Sequence, residues 1–115
     1  AGQTLITYPV DRVRLDVFSQ VLIPARVEPA AVRQVELTAV ILLLVASNRG
    51  VAVLPDWVVR QVRYNSDYVT RPILSPATGQ PVTRCLFAAT RAEDTARPFM
   101  AHLIRLARQE AVKLQ

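Results

Sequence analysis

Short apolar and β-branched runs along this chain alternate with segments whose apolar residues recur at helical spacing. Thr4-Leu5-Ile6-Thr7-Tyr8 is β-branched and aromatic, and Pro9 stops it, which predicts a strand. Val13, Val17, Phe18, Val21 and Leu22 then recur at helical spacing, with Asp11 placed to cap the helix and Pro24 to end it. After a loop marked by Pro29, Val32 to Glu36 predicts a second strand. A second helix runs from Thr38 to about Asn48, with Gly50 just beyond its end. The greasy stretch Leu37 to Ala46 inside it predicts burial on most sides. Gly50 to Leu54 predicts a third strand, and Asp56, following Pro55, opens a third helix through about Arg63. Trp57 on that helix is expected to pack rather than to act as a lid.

Val69 to Leu74 predicts an edge strand, because Pro72 interrupts it. Ser75 to Pro81 is a loop by composition, and Val82 to Thr90 predicts a long strand. Arg97-Pro98 starts the last helix, whose apolar stripe is Phe99, Leu103, Leu106 and Ala107. Strands alternating with helices argue for an α/β fold with parallel pairing and right-handed crossovers. The chain opens directly on a strand, which suggests the rear part of a longer protein.

Composition narrows the function classes. The 115 residues, about half of them apolar, suffice for one packed domain. The net charge is +5, and of the 14 basic residues only Lys113 is lysine. The arginines are scattered, and no aromatic platform accompanies them, so direct nucleic-acid binding by this segment is not expected. No apolar run reaches the roughly 20 residues of a membrane span. Cys85 is the one cysteine, and it is read as a buried, inert thiol in a reducing, cytoplasmic setting.

Catalytic readings lack parts. The single histidine, His102, has no spacing relation to Ser19, Ser47, Ser66, Ser75 or Cys85 that suggests a nucleophile and its base. No Cys/His cluster suits a metal, and the three glycines are too far apart for a phosphate loop. Neither an enzyme activity nor a cofactor is therefore expected. Binding is the better supported reading. In a parallel sheet the carboxyl ends of the strands form one rim beside helix starts, where unpaired N–H groups favour a small carboxylate. That rim holds Thr7, Tyr8, Pro9, Thr38, Leu54 and Pro55, with Glu36 as a possible acceptor for an amino group. Thr38 and Asp56 serve equally well as plain helix caps, and Thr7 as a strand-end residue.

The order and spacing of several blocks carry a likeness that none carries alone. They are Leu5-Ile6-Thr7-Tyr8-Pro9, Arg14-Leu15-Asp16-Val17-Phe18, Val35 to Asn48, Gly50-Val51-Ala52-Val53-Leu54-Pro55 and Arg84-Cys85-Leu86-Phe87-Ala88-Ala89. The pattern resembles the effector-binding region of LysR-type transcriptional regulators, and within them the branch that governs methionine biosynthesis. The resemblance implies a type II periplasmic-binding-protein-like α/β fold with an effector cleft between two subdomains. Residues 1–81 would form the second subdomain, and 82–115 the returning strand and C-terminal helix. The winged helix-turn-helix that contacts DNA would lie outside this chain.

The resemblance further implies a small-molecule effector, homocysteine or a related amino acid, and a homo-oligomer. The interface would use Leu15, Phe18, Ser19, Leu22, Arg33 and Val35. A transport protein of the periplasmic-binding type is the alternative.

Overall fold

The computed structural model describes residues 2–62 and 67–113. Its strands are β1 (Thr4–Thr7), β2 (Ala31–Gln34) and β3 (Val51–Ala52). Its α-helices are α1 (Thr38–Ala46), α2 (Asp56–Gln61) and α3 (Pro98–Lys113). The strands form a three-stranded sheet in the order β2-β1-β3, and both pairings are parallel. Thr7 pairs with Gln34, and Ile6 with Ala52, so all three strands end at one edge of the sheet. Both α1 and α2 begin on the chain just after that edge. This is the strand-tip and helix-start arrangement that the alternating pattern predicts. The chain divides into two compact units, Ala1–Thr83 and Arg84–Gln115.

β1 lies at the centre of the first unit, and its side chains alternate between the two faces of the sheet. Leu5 joins Val17 and Phe18 in one apolar cluster, with Leu15, Leu22 and Val32 packed around it. Phe18 is 2% exposed, while Ile6 and Ile41 are 0% exposed. Gly50 is required by close approach. A Cβ there would sit 2.5 Å from the Thr4 carbonyl oxygen and 3.2 Å from the Ile6 side chain.

The segment between β1 and β2 is not the single capped α-helix expected. Arg12–Arg14 is a 3₁₀ turn, and Val17–Leu22 is a π-helix in which the Ile23 N–H donates to the Phe18 carbonyl at 3.0 Å. Pro24 accounts for the widening: it has no N–H to donate, and its ring displaces the carbonyl four residues back. Asp11 makes no side-chain cap, and Val13 is exposed rather than part of the apolar stripe. The chain continues past Pro24 to Arg26, which takes a left-handed conformation, φ 54°.

β3 is shorter than the expected strand from Gly50 to Leu54, and β2 ends before Glu36. α1 begins at Thr38 as expected and closes on a Schellman motif. The Arg49 N–H donates to the Leu44 carbonyl, and the Asn48 N–H to that of Val45. Asn48, φ 57°, takes the left-handed position rather than Gly50. The stretch Leu37 to Ala46 is not buried on most sides: Ile41 and Leu42 are buried, but Leu37, Val40 and Leu43 are exposed. Asp56 opens α2 and pairs with Arg60 at 2.6 Å. The expected end of α2 at Arg63 falls outside the described residues. Trp57 stays exposed, against the expectation that it packs.

Two predicted strands are absent among the described residues. Val69 to Leu74 contributes only an isolated antiparallel bridge between Leu74 and Pro81, closing the turn at Ser75–Gly79. Val82 to Thr90 forms no strand, and Leu86 and Phe87 are exposed. Its β-forming residues lack a neighbour with which to make ladder hydrogen bonds, and strand propensity alone does not supply one. Cys85 in this run is exposed, which corrects the reading of a buried thiol.

In the second unit, Asp94 holds the entry to α3. Its carboxylate lies 2.8 Å from the Nε atoms of both Arg91 and Arg97. The contact to Arg97 is an ion pair lying off the N–H axis rather than a directed hydrogen bond. Pro98 occupies the first position of α3, as its lack of an N–H allows. α3 buries no residue.

Candidate functional site

At the edge where the strands end, β1 splits the predicted rim between two faces. Thr7 points to the face occupied by the π-helix, and Tyr8 to the other. The Tyr8 hydroxyl is hydrogen bonded to the Thr38 hydroxyl at the start of α1. Those two polar groups therefore satisfy each other. Pro9 and Pro55 are exposed, and Leu54 is half-buried. The Pro55 carbonyl accepts the Val58 N–H at 3.0 Å and so acts in the first turn of α2.

Thr7 is in a different situation. It is only 7% exposed, and its Oγ1 has no hydrogen-bond partner. A buried, unpartnered hydroxyl costs about 1–3 kcal/mol relative to a satisfied one, so its presence calls for an explanation. Thr7 lines a crevice of about 290 Å³ at the sheet edge. Val10, Leu15, Phe18 and Val32 supply apolar wall, while Arg12 and Gln34 supply the other polar groups. The volume suits a small metabolite. None of Tyr8, Pro9, Thr38, Leu54 or Pro55 lines this crevice.

Arg12 and Gln34 were not identified from sequence. Arg12 is one of the scattered arginines, and Gln34 lies within the predicted strand Val32 to Glu36. The register Thr7–Gln34 and the 3₁₀ turn after Pro9 bring them to Thr7. The Arg12 guanidinium lies 4.8 Å above the centre of the Phe18 ring, and its Nη1 is 3.3 Å from Glu28 Oε2. Among the described residues, no group of His, Cys, Asp and Glu side chains could hold a metal ion.

Of the expected interface residues, Phe18 is 2% exposed. Its ring packs in the apolar cluster of the first unit and borders the crevice beneath Arg12. Leu15 and Leu22 are half-buried against the same cluster, Ser19 and Arg33 are exposed, and Val35 is half-buried.

Residues 1–112 match the LysR substrate binding domain family. The chain belongs to that family. The LysR assignment carries the periplasmic-binding-protein-like α/β fold with it, and the transport-protein alternative is not favoured. The chain is 36% identical over 111 residues to the HTH-type transcriptional regulator MetR of Escherichia coli (strain K12). It is 35% identical to MetR of Salmonella typhimurium over the same length. Each alignment covers 96% of this chain and 33% of the relative, so the chain spans about a third of the curated relatives it matches. Among solved structures it is similar to the regulatory domain of MetR, a LysR family regulator from N. meningitidis, with a TM-score of 0.75 and 38% identity. That match covers 97% of this chain and 50% of the other. The LysR domain described here is thus MetR-like in sequence and in fold.

Proposed function

We propose that this chain forms one wall of the effector-binding receptor of a cytoplasmic, MetR-like transcriptional regulator, and that it senses rather than catalyses. The observation that carries this reading is the buried Thr7 hydroxyl, unpartnered and lining a crevice at the strand tips. A ligand group there removes the cost of that unmet hydrogen bond, so binding gains what folding left unsatisfied. The effector is a small amino acid of the homocysteine class. A hydroxyl, an amide and a guanidinium suit its polar end, and the apolar wall suits a short thiol-bearing side chain. Effector binding shifts the balance between arrangements of the regulatory domain, and a DNA-reading module elsewhere in the protein reports the shift.

The test is calorimetric titration with homocysteine and methionine, alongside the Thr7→Val variant. The expected result is a measurable affinity for one of them that falls about tenfold in the variant, the equivalent of one lost hydrogen bond to a buried ligand. Equal affinity in both proteins removes Thr7 from the site. No heat with either compound removes the sulfur amino acid class.

A further inference from the structure

The crevice contains one cation, and that cation is already held by a carboxylate of the same chain. Arg12 lines the crevice beside the Thr7 hydroxyl. Its guanidinium is set against the Phe18 ring at 4.8 Å, which restricts where the charge can go. Its Nη1 meets Glu28 Oε2 at 3.3 Å. Both side chains are more than half exposed, at 55% and 73%. A pair of that kind is worth about 0–1 kcal/mol, so it is easily exchanged for another.

A planar guanidinium presents paired donors that match a carboxylate. The same crevice adds a buried, unpartnered hydroxyl and an amide, with apolar wall behind them. We infer that Arg12 is the residue that selects ligands bearing a carboxylate, and that Glu28 is an internal stand-in for that carboxylate, released when the ligand arrives. This rests on the reading of the Thr7 crevice as the effector site. The chemical class it assigns is a small carboxylate with a short apolar or thioether tail. A neutral amide or ester of the same compound is rejected, because it leaves the cation without a matching charge.

The device also sets the threshold of the response. An incoming carboxylate must outcompete Glu28, so the apparent affinity is lowered by the fraction of molecules in which Glu28 holds Arg12. Removing Glu28 therefore tightens binding, and removing Arg12 weakens it. The two effects are not additive, because Glu28 acts only through Arg12.

The experiment titrates this chain with L-homocysteine, L-methionine and L-methioninamide. Binding is followed by calorimetry and by the backbone amide resonances of Val10, Arg12 and Gln34. Circular dichroism confirms that each variant is folded. Arg12→Gln is expected to weaken binding of the carboxylates about tenfold, and Arg12→Lys to restore part of it. Glu28→Gln is expected to tighten binding about two- to fivefold, and to have no effect in the Arg12→Gln background. Methioninamide should bind wild type no better than methionine binds Arg12→Gln.

If Thr7→Val weakens binding but Arg12→Gln does not, the crevice remains the site and the assignment of Arg12 falls. If neither substitution matters, both readings fall. Equal binding of methionine and methioninamide overturns the carboxylate selection. So does a titration in which neither carboxylate shifts the crevice amides.

Discussion

Thr7 shows how one side chain can trade stability for recognition. Valine has nearly the same shape and no hydroxyl, so Thr7→Val removes a buried polar atom that has no partner. We expect the variant to be more stable by about 1 kcal/mol, measured by urea denaturation, while losing affinity for the effector. A substitution that lowered stability would mean that the hydroxyl is satisfied in solution by an ordered water. Gly50 carries the opposite lesson. A methyl group there would collide with the Thr4 carbonyl, which belongs to the backbone of the central strand and cannot turn aside. Gly50→Ala should cost about 2–3 kcal/mol in the same measurement, through separation of β3 from β1. The sequence marks Gly50 as punctuation after a helix, whereas its actual constraint is a neighbour 46 positions earlier in the chain.

Two helical segments, the π-helix and α1, close on left-handed residues that are not glycine. Arg26 follows the π-helix at φ 54°, and the Val27 N–H donates to the Leu22 carbonyl at 2.9 Å in a Schellman arrangement. A left-handed conformation costs a residue with a Cβ about 1–2 kcal/mol, a cost that glycine avoids. Arg26→Gly should therefore raise the midpoint of urea unfolding, by about 1 kcal/mol in stability. Unchanged stability would show that the turn relaxes away from this geometry in solution. Asn48, which closes α1, tolerates the same region better through its short polar side chain. The first helical segment departs from its predicted α-helix through its own C-terminal end. Apolar spacing at Val17, Phe18, Val21 and Leu22 does not distinguish an α-helix from a π-helix, and the proline that decides between them acts on the turn before it.

Over the whole molecule, apolar surface remains uncovered in both units. Val40 and Leu43 are exposed on α1, with Leu37 just before it, and Phe99 and Leu103 are exposed on α3. Patches of this kind favour association. We expect the isolated chain to self-associate, with a light-scattering mass above that of one chain at high concentration and a shift toward one chain on dilution. Replacing Leu43 by Gln on the exposed face of α1 should reduce association without unfolding the first unit. A monomer at all concentrations would show that these faces do not attract one another.

Much of the architecture was legible because short-range signals mark where elements begin and end. β1 is a β-branched run closed by Pro9, α1 an apolar run opened at Thr38, and α3 an apolar stripe opened at Pro98, and the alternation of strand and helix implied a parallel sheet with its strand ends on one edge. The strand expected at Val82 to Thr90 failed because β-forming residues state a preference, while a strand exists only with a neighbour. The rim was legible to the level of a sheet edge and no further. Thr7 lines the crevice, whereas Tyr8 and Thr38 satisfy each other, and no local pattern marks Arg12 or Gln34. Local pattern along the chain determined where β1 stops and where α1, α2 and α3 begin, because propensity, capping and proline chemistry act over a few residues. Which polar groups meet, and which is left without a partner in a crevice, was settled only by packing, because it depends on strand register and on contacts between residues far apart in the chain.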